Sequence, residues 1–308
     1  MMDWTDRYCR YFHRLLSPHA FLYSEMIHAN AITRGDTAFH LFFRDEEKPV
    51  ALQLGGIEVK ALAEAAKRGE EFGYAEINLN CGCPSDRVQS GAFGACLMAE
   101  PLRVAEAVAA MREAVKIPVT VKTRLGIDDK DSYEFLHDFV RLVHEQGKCD
   151  VFILHARKAW LQGLSPRENR EKPPLHWDRV HRVKQDFPQL EIITNGGFDT
   201  LPDVMAQFAQ VDGVMLGRKI YHEPYFLTEL EAAVFGNTNT PSRAEIVAKM
   251  ISYMEDEKAK GTELKRIAKH MHGLFHAQKH SKAWKQALAK TAQENSPAPL
   301  HVFADSVY

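Results

Sequence analysis

The sequence has no apolar run that approaches the roughly 20 residues of a transmembrane helix, and it does not begin with a basic and then apolar signal segment. Its hydrophobic content of 45% and charged content of 26% are ordinary for a globular protein. We therefore expect a cytoplasmic protein that does not bind membranes. Its 308 residues are enough for one large domain and a smaller one.

Cysteines are few and odd in number: Cys9, Cys81, Cys83, Cys96 and Cys149. An odd count in a long chain without a signal segment favours free thiols in a reducing compartment over disulfides. Structural zinc sites use C-x2–4-C pairs with a second pair elsewhere, whereas this chain has one C-x-C spacing and no matching pair. The sequence therefore predicts no metal site.

The net charge of −2 argues neither for nor against a nucleic-acid partner, but the charge is unevenly distributed. Between residues 258 and 290 the chain carries nine lysines and arginines, four histidines and a single acidic residue. A basic surface of this kind can bind a polyanion. An ordinary solvated helix face is the alternative interpretation.

Short apolar or β-branched runs alternate along the chain with amphipathic stretches of helical spacing. The seven runs lie at 21–27, 49–56, 75–84, 118–126, 151–157, 191–197 and 213–220. Such alternation is typical of parallel βα units, and eight units close a barrel. We expect an α/β fold, a TIM (β/α)8 barrel.

The first run follows a predicted helix at 5–16, so it belongs to the second unit of the barrel. We therefore expect the barrel to lack its first strand, which would end near Met1. Residues 236–242, GNTNTPS, resemble a linker, and the residues beyond them have only helical patterns. The predicted domains are a barrel at 1–235 and a C-terminal α-helical domain at 243–308.

Reactive groups in such barrels gather at the carboxyl ends of the strands. The predicted strands end in polar residues: Gln53; Asn78, Asn80 and Cys83; Lys122 and Arg124; His155 and Arg157; Asn195, Gly196 and Gly197; Gly217 and Arg218. The loops after the last two strands commonly form a phosphate site, where glycine lets the backbone approach the anion and arginine adds charge. We expect a phosphate-bearing ligand there.

Two reactive side chains have more than one interpretation. Lys122 lies within an apolar strand and is a structural ion-pair partner, a Schiff-base lysine or a cation beside a flavin. Cys83 lies between a glycine and Pro84 at a strand end, where it either acts on a substrate or packs. Cys96 is expected in the core.

Several stretches together resemble the tRNA-dihydrouridine synthases, most closely the bacterial A-type branch that acts on uridines 20 and 20a. The main one is LNCGCPSDRVQSGAFGACLM at 79–98. The others follow in order: MMDWTD, LQLGG, VKTRLGID, LHARKAWLQGLSP, TNGG, LGR and GLFH. The resemblance covers nearly the whole chain.

The resemblance implies FMN at the barrel mouth and NADPH as the electron donor. The flavin would be flanked by Met1, Met2 and Asp3 and hydrogen-bonded by Gln53, Lys122 and His155, and its phosphate would be held by Asn195, Gly196, Gly197, Gly217 and Arg218. Reduced flavin would give a hydride to C6 of uracil. Cys83 would protonate C5, since a thiol ordinarily keeps its proton at neutral pH yet can release it.

The resemblance also implies a tRNA partner whose target base is drawn out of its stack. Asn80 and Lys122 would hold the uracil, and Arg87 would meet the RNA beside Cys83. Arg167, Arg170 and the basic tail with Lys282 and Lys285 would contact phosphates. We expect a monomer. The alternatives are an FMN barrel that acts on a free pyrimidine or another enoyl-type substrate, a Schiff-base lyase that uses Lys122, and a non-catalytic tRNA-binding protein.

Overall fold

A computed structural model describes residues 1–85, 88 and 91–304 of the chain. Seven strands form one sheet in the order of the sequence: β1 Leu22–His28, β2 Val50–Gly55, β3 Glu76–Cys81, β4 Val119–Arg124, β5 Val151–His155, β6 Glu191–Asn195 and β7 Gly213–Met215. Strands β2 to β7 pair in parallel with their neighbours. The sheet and its helices form the predicted α/β fold, with a TIM-barrel-like arrangement.

Helices separate the strands, as the apolar spacing predicts. The described helices are α1 Arg7–Leu16, α2 Ala29–Arg34, α3 Thr37–Leu41, α4 Val59–Glu71, α5 Pro101–Ala114, α6 Tyr133–Gly147, α7 Trp177–Asp186, α8 Leu201–Gln207, α9 Arg218–His222, α10 Phe226–Phe235, α11 Arg243–Ala259, α12 Lys265–Ala268, α13 Ser281–Glu294 and α14 His301–Ala304. None of the helices described is long and apolar enough to cross a membrane.

All seven predicted strands are present, but the last is shorter than predicted. The run at 213–220 is a strand only at Gly213–Met215, and Arg218 is the first residue of α9. Gly217 precedes that helix with φ −132° and ψ −92°, outside the extended conformation that a strand needs. Arg218 is therefore a helical residue and not part of a strand.

The chain divides into two compact units. The first comprises residues 1–22, 44–47 and 217–308, so it contains α1 and α9 to α14. The second comprises residues 23–43 and 48–216 and contains nearly all of the sheet. The domain limits of 1–235 and 243–308 stay a prediction.

A buried carboxylate organises the charged interior of the first unit. The Glu257 side chain on α11 is fully buried, and it accepts a hydrogen bond from Arg7 Nη2 at 2.7 Å and another from Arg44. The Arg44 guanidinium also lies 4.5 Å from the ring centre of Tyr253. A buried carboxylate is tolerated because two guanidinium groups compensate its charge.

We predict that Glu257→Ala lowers the free energy of unfolding by about 3 kcal/mol, because it leaves two guanidinium groups without their buried counter-charge. Urea denaturation followed by circular dichroism measures the change. Asp256→Ala is the matched control: this half-exposed carboxylate also binds Arg44, and its loss should cost less than about 1 kcal/mol. Equal losses in the two variants would contradict this assignment.

The interior of the second unit contains a line of buried polar side chains. In β3 the side chains of Glu76, Asn78 and Asn80 alternate with apolar ones, and all six residues are buried. The apolar residues face the helices: Ile77, with Leu52 of β2, lies against Gly69 of α4. The polar side chains therefore lie on the inner face of the sheet and have to bond one another.

Glu76 is a buried acidic residue of this inner face. Its Oε1 accepts hydrogen bonds from the Tyr23 hydroxyl at 2.9 Å and the Thr120 hydroxyl at 2.7 Å. Burial raises the pKa of Glu76 to about 7, with a smaller contribution from the charge of Glu191, while the two hydroxyl donors lower it. The ionised form of Glu76 is thus disfavoured by folding.

Because this pKa is higher in the folded chain than in the unfolded chain, Glu76 stabilises the fold below its ordinary pKa and loses that contribution as pH rises through about 7. We predict that Glu76→Gln, which does not ionise, gains about 2 kcal/mol relative to the unmutated protein between pH 5 and pH 8. Denaturation at several pH values measures it. Glu191→Gln, at the exposed start of β6, is the control with a smaller effect. A stability difference that does not vary with pH would overturn the prediction.

Candidate active site

Five of the singled-out side chains lie at the carboxyl edge of the sheet, on five successive strands. They are Gln53 on β2, Asn80 on β3, Lys122 on β4, His155 on β5 and Asn195 on β6. In the register of the sheet, Asn80 is opposite Lys122 and His155 is opposite Asn195. Parallel pairing thus brings residues more than 100 positions apart in sequence to one edge.

Lys122 is held at this edge by a neutral partner. Its Nζ donates to Asn195 Oδ1 at 3.0 Å, and Asn195 Nδ2 donates to the Met215 carbonyl at 2.7 Å. Burial, and then the neighbouring charge of Arg124, lower the pKa of Lys122 to about 8. The amino group of Lys122 therefore remains mostly protonated at neutral pH. Its hydrogen-bond partner among the described residues is an amide, not the carboxylate of an ion pair.

The backbone around Cys83 is held on several sides. Asn80 Oδ1 accepts from the N–H groups of Gly82 and Cys83, each at 3.0 Å, and the Cys83 carbonyl accepts from Ala95 N at 2.9 Å. Gly94 has φ +78°, and a Cβ there would lie 2.6 Å from the Cys83 oxygen. The half-buried thiol, 3.4 Å from the Ser85 hydroxyl, is thus carried by an ordered turn.

Arg124 also holds this turn, a role that the sequence did not suggest. Its Nε donates to the Gly82 carbonyl at 3.1 Å, and its Nη1 donates to the carbonyls of Lys158 and Asn169 at 3.1 and 2.7 Å. Burial lowers the pKa of Arg124 to about 10, and the approach of Cys83 opposes that shift. A buried guanidinium thus joins the Cys83 turn to the loop after β5.

The loop after β6 lies against the ring of His155. Gly196 and Gly197 have φ of +102° and +82°, and a Cβ on Gly196 would overlap the His155 ring. A Cβ on Gly197 would overlap Leu175. Both positions therefore require glycine.

Trp177 on α7 fixes this glycine loop and is a second residue that sequence reasoning missed. Its indole Nε1 donates to the Gly196 carbonyl at 3.0 Å. Its ring stacks on Phe198 with 5.0 Å between ring centres. The helical spacing of apolar residues predicts α7, but it does not indicate that an indole of this helix donates a hydrogen bond to a loop.

The remaining cofactor candidates belong to the first compact unit: Met1, Met2, Asp3, Gly217 and Arg218. Within it, Met1 Sδ lies 3.2 Å from where a Cβ on Gly217 would be, so these two residues are neighbours. The Asp3 carbonyl accepts from Lys269 Nζ at 3.2 Å. Lys282 and Lys285 are in the same unit and lie on one open face of α13 with Ser281, Gln286 and Ala289.

Other candidates differ from expectation. Arg167 is 80% exposed, as expected for its loop, but Arg170 is half-buried and near enough to Arg124 to lower the pKa of that guanidinium.

Cys96 is half-buried, not in the core, and its thiol donates to the Phe93 carbonyl at 3.1 Å. Arg87 lies outside the described residues. Within the described ranges, no three His, Cys, Asp or Glu side chains are grouped to hold a metal ion.

Two solved structures are similar in fold. The complex of 2-naphthoyl-CoA reductase with 2-naphthoyl-CoA matches with a TM-score of 0.54 and 11% identity, over 75% of this chain and 47% of that one. Histamine dehydrogenase from Rhizobium sp. 4-9 matches with a TM-score of 0.51 and 14% identity, over 82% and 47%. This chain thus spans about half the length of each structure, and at these identities the likeness is one of fold.

Curated relatives are similar over nearly their whole length. The tRNA-dihydrouridine(20/20a) synthase of Vibrio parahaemolyticus is 52% identical, over 100% of this chain and 94% of that protein. The proteins of the same name from Vibrio cholerae and Escherichia coli K12 are 52% and 51% identical, over 96% of this chain and 90% and 85% of theirs. The family model described as Dihydrouridine synthase (Dus) matches residues 1–305, and the chain therefore belongs to the dihydrouridine synthase family.

Proposed function

We propose that this protein is a flavin-dependent oxidoreductase that reduces uridine to 5,6-dihydrouridine at positions 20 and 20a of tRNA, with FMN as cofactor and NADPH as electron donor. The relatives that are about half identical over nearly their whole length carry the name of this activity. The proposal depends mainly on one observation: hydrogen bonds fix the turn of Cys83 at the same edge of the sheet where Lys122 and Asn195 lie.

The residues at this edge fit FMN. The loop of Gly196 and Gly197 presents backbone without side chains, as a phosphate cradle requires, and the His155 ring lies directly against it. Lys122 supplies a cation, and Gln53 and Asn195 supply amides. We propose that these residues bind FMN together with Met1, Met2, Asp3, Gly217 and Arg218. When bound and reduced by NADPH, FMN supplies the hydride that uracil takes up at C6.

The chain itself supplies the proton. The Cys83 S–H bond breaks as a C–H bond forms at C5 of uracil, so hydride and proton together saturate the C5–C6 bond. The hydrogen bonds from Gly82 and Cys83 to Asn80, and from Ala95 to the Cys83 carbonyl, hold the thiol in one orientation during this transfer.

The thiolate left on Cys83 has two cationic neighbours. Lys122 and Arg124 are both close enough to Cys83 for a charge there to favour their protonated forms. They stabilise the negative sulfur until solvent returns a proton. Asn80 already uses its oxygen in the turn, so it supports Cys83 and contacts uracil through its remaining amide hydrogen at most.

We propose that tRNA is bound by basic surfaces outside the site. Lys282 and Lys285 lie on one open face of α13, and Arg167 is 80% exposed on the loop after β5. Contacts to phosphates hold an RNA without reading its sequence. The active site then has to recognise only the one unstacked base that enters it. We propose that Arg170 and Arg87 also contact the tRNA.

The finer architecture is also a proposal. We propose that the seven strands correspond to seven of the eight in a (β/α)8 barrel, with residues 1–235 as the FMN-binding part and 243–308 as a helical tRNA-binding domain. The enzyme acts as a cytoplasmic monomer without a metal ion. Gel filtration with light scattering measures its mass in solution.

The test of the function is to incubate the purified protein, FMN and NADPH with unmodified tRNA and to map dihydrouridine by mass spectrometry. Dihydrouridine at positions 20 and 20a supports the proposal. Turnover of free uracil with no product in tRNA would replace it with a small-pyrimidine reductase. A protein that shows no flavin band after reconstitution and reduces neither substrate would refute it.

We predict that Cys83→Ala lowers the rate of tRNA reduction by at least about 100-fold, because the proton donor to C5 is lost. Flavin content and flavin reduction by NADPH should stay unchanged, since neither step uses the thiol. Stopped-flow absorbance separates the two half-reactions. Cys96→Ala, which removes the other half-buried thiol, is the matched control and should leave both rates unchanged. Normal turnover by Cys83→Ala would remove this residue from the mechanism.

We predict that the double variant Lys282→Glu, Lys285→Glu weakens tRNA binding about tenfold or more at low salt and reduces the slope of log affinity against log salt by about 2. Filter binding at several salt concentrations measures both quantities. The double variant Lys60→Glu, Lys67→Glu makes the same charge reversal at two exposed positions of α4 and should have a smaller effect. Equal effects of the two variants would show a general response to net charge, not a binding face.

A further inference from the structure

A continuous line of hydrogen bonds, the amide relay, connects the Cys83 turn with Glu76. Its five side chains are Asn80, Gln53, Asn78, Thr120 and Glu76. Asn80 Nδ2 donates to Gln53 Oε1 at 2.9 Å, and Gln53 Nε2 donates to Asn78 Oδ1 at 2.8 Å. Asn78 Nδ2 donates to the Thr120 oxygen at 2.7 Å, and the Thr120 hydroxyl donates to Glu76 Oε1 at 2.7 Å. All five residues are at most 9% exposed.

Both ends of the amide relay have a fixed hydrogen-bonding role. At one end, the backbone N–H groups of Gly82 and Cys83 can only donate, so Asn80 has to present its oxygen to them. At the other end, Glu76 Oε1 accepts from the hydroxyls of both Thr120 and Tyr23, so the single hydroxyl proton of Thr120 is used there whether the carboxyl group is ionised or carries its proton on Oε2. The Thr120 oxygen is then available only as an acceptor from Asn78.

The three amides between these ends therefore have one arrangement that satisfies every bond. Each amide has an oxygen at one end and an NH2 group at the other, so reversing one of them opposes donor to donor and acceptor to acceptor. Such a mismatch is costly where water cannot enter. Because all the bonds run in the same direction, they also polarise one another favourably.

We infer that Glu76 and Thr120 are positioning residues for the Cys83 thiol, because they fix the orientation of Asn80 through the amide relay. Glu76 is about 13 Å along β3 from Asn80, four residues at the rise of a strand, so it acts without touching the reacting atoms. This inference rests on the proposed function for its catalytic consequence. The orientation of the turn can be measured without it.

The informative variants change the Thr120 hydroxyl. Thr120→Val keeps the shape but removes the acceptor of Asn78 and the donor to Glu76, whereas Thr120→Ser keeps the hydroxyl. Glu76→Gln keeps an oxygen that can accept from Thr120 and Tyr23. Thr194→Val is the matched control, because Thr194 is a buried β6 threonine whose hydroxyl has no hydrogen-bond partner within the described part of the chain.

The readouts are amide hydrogen exchange in the peptide that contains Gly82 and Cys83, and alkylation of Cys83 by iodoacetamide relative to Cys96. In Thr120→Val we expect exchange at this peptide to be about tenfold faster and Cys83 alkylation about fivefold faster, because the turn opens locally. Exchange in β5 and β6 should stay unchanged. Thr120→Ser, Glu76→Gln and Thr194→Val should remain within about twofold of the unmutated protein.

Dihydrouridine formation in tRNA, with FMN affinity measured separately, tests the catalytic consequence. We expect Thr120→Val to lower the single-turnover rate about tenfold with FMN saturating, and Thr120→Ser to restore it. Exchange, alkylation and rate in Thr120→Val that match Thr194→Val would overturn the inference and leave the proposed function intact. Faster exchange and alkylation in a protein that never forms dihydrouridine would refute the proposed function and leave the positioning role standing.

Discussion

The two hydrogen bonds from Gly82 and Cys83 to the Asn80 oxygen connect the inside of the sheet with the site. Where β3 ends, the backbone leaves the regular pairing that satisfied its N–H groups, and these groups need new acceptors. Asn80 supplies one oxygen for both. Its amide nitrogen is in turn bound to Gln53, so the turn that carries the thiol follows the packing of the sheet.

This arrangement exists because the strand is buried on both faces. The apolar side chains of β3 use one face to pack on α4, and the polar ones are left to bond one another inside. Buried polar groups destabilise the fold unless each one has a hydrogen-bond partner. A network in which only one arrangement satisfies every hydrogen bond is also rigid. The same burial lowers the pKa of Lys122 and of Arg124. A low-dielectric interior also strengthens the attraction between these two cations and the thiolate that the proposed mechanism leaves on Cys83.

Much of this could be predicted from the chain. Apolar alternation and helical spacing located all seven strands, and the rule that parallel strands present their carboxyl ends at one edge brought together Gln53, Asn80, Lys122, His155 and Asn195. Gly196 and Gly197 have a backbone that leaves no room for side chains, while the phosphate site that the sequence predicts there stays a prediction. The predicted end of the last strand was wrong because the apolar pattern continues past Gly217, whereas the backbone at Gly217 has already left the extended conformation. The roles of Arg124, Trp177 and Glu76 were missed because their partners lie 19 to 53 residues away in sequence. The partners are backbone carbonyls for Arg124 and Trp177, and the hydroxyls of Tyr23 and Thr120 for Glu76.

The sequence by itself determined the order of strands and helices, the polar character of the strand ends and the family to which the chain belongs. These properties depend on local periodicity and on short contiguous motifs. Only the tertiary structure decided which side chains bond. Lys122 and Asn195 are 73 residues apart, and Asn78 and Thr120 are 42 apart. Such partners are chosen by strand register and by the face to which each side chain points, and a shift of one residue in register would separate every pair.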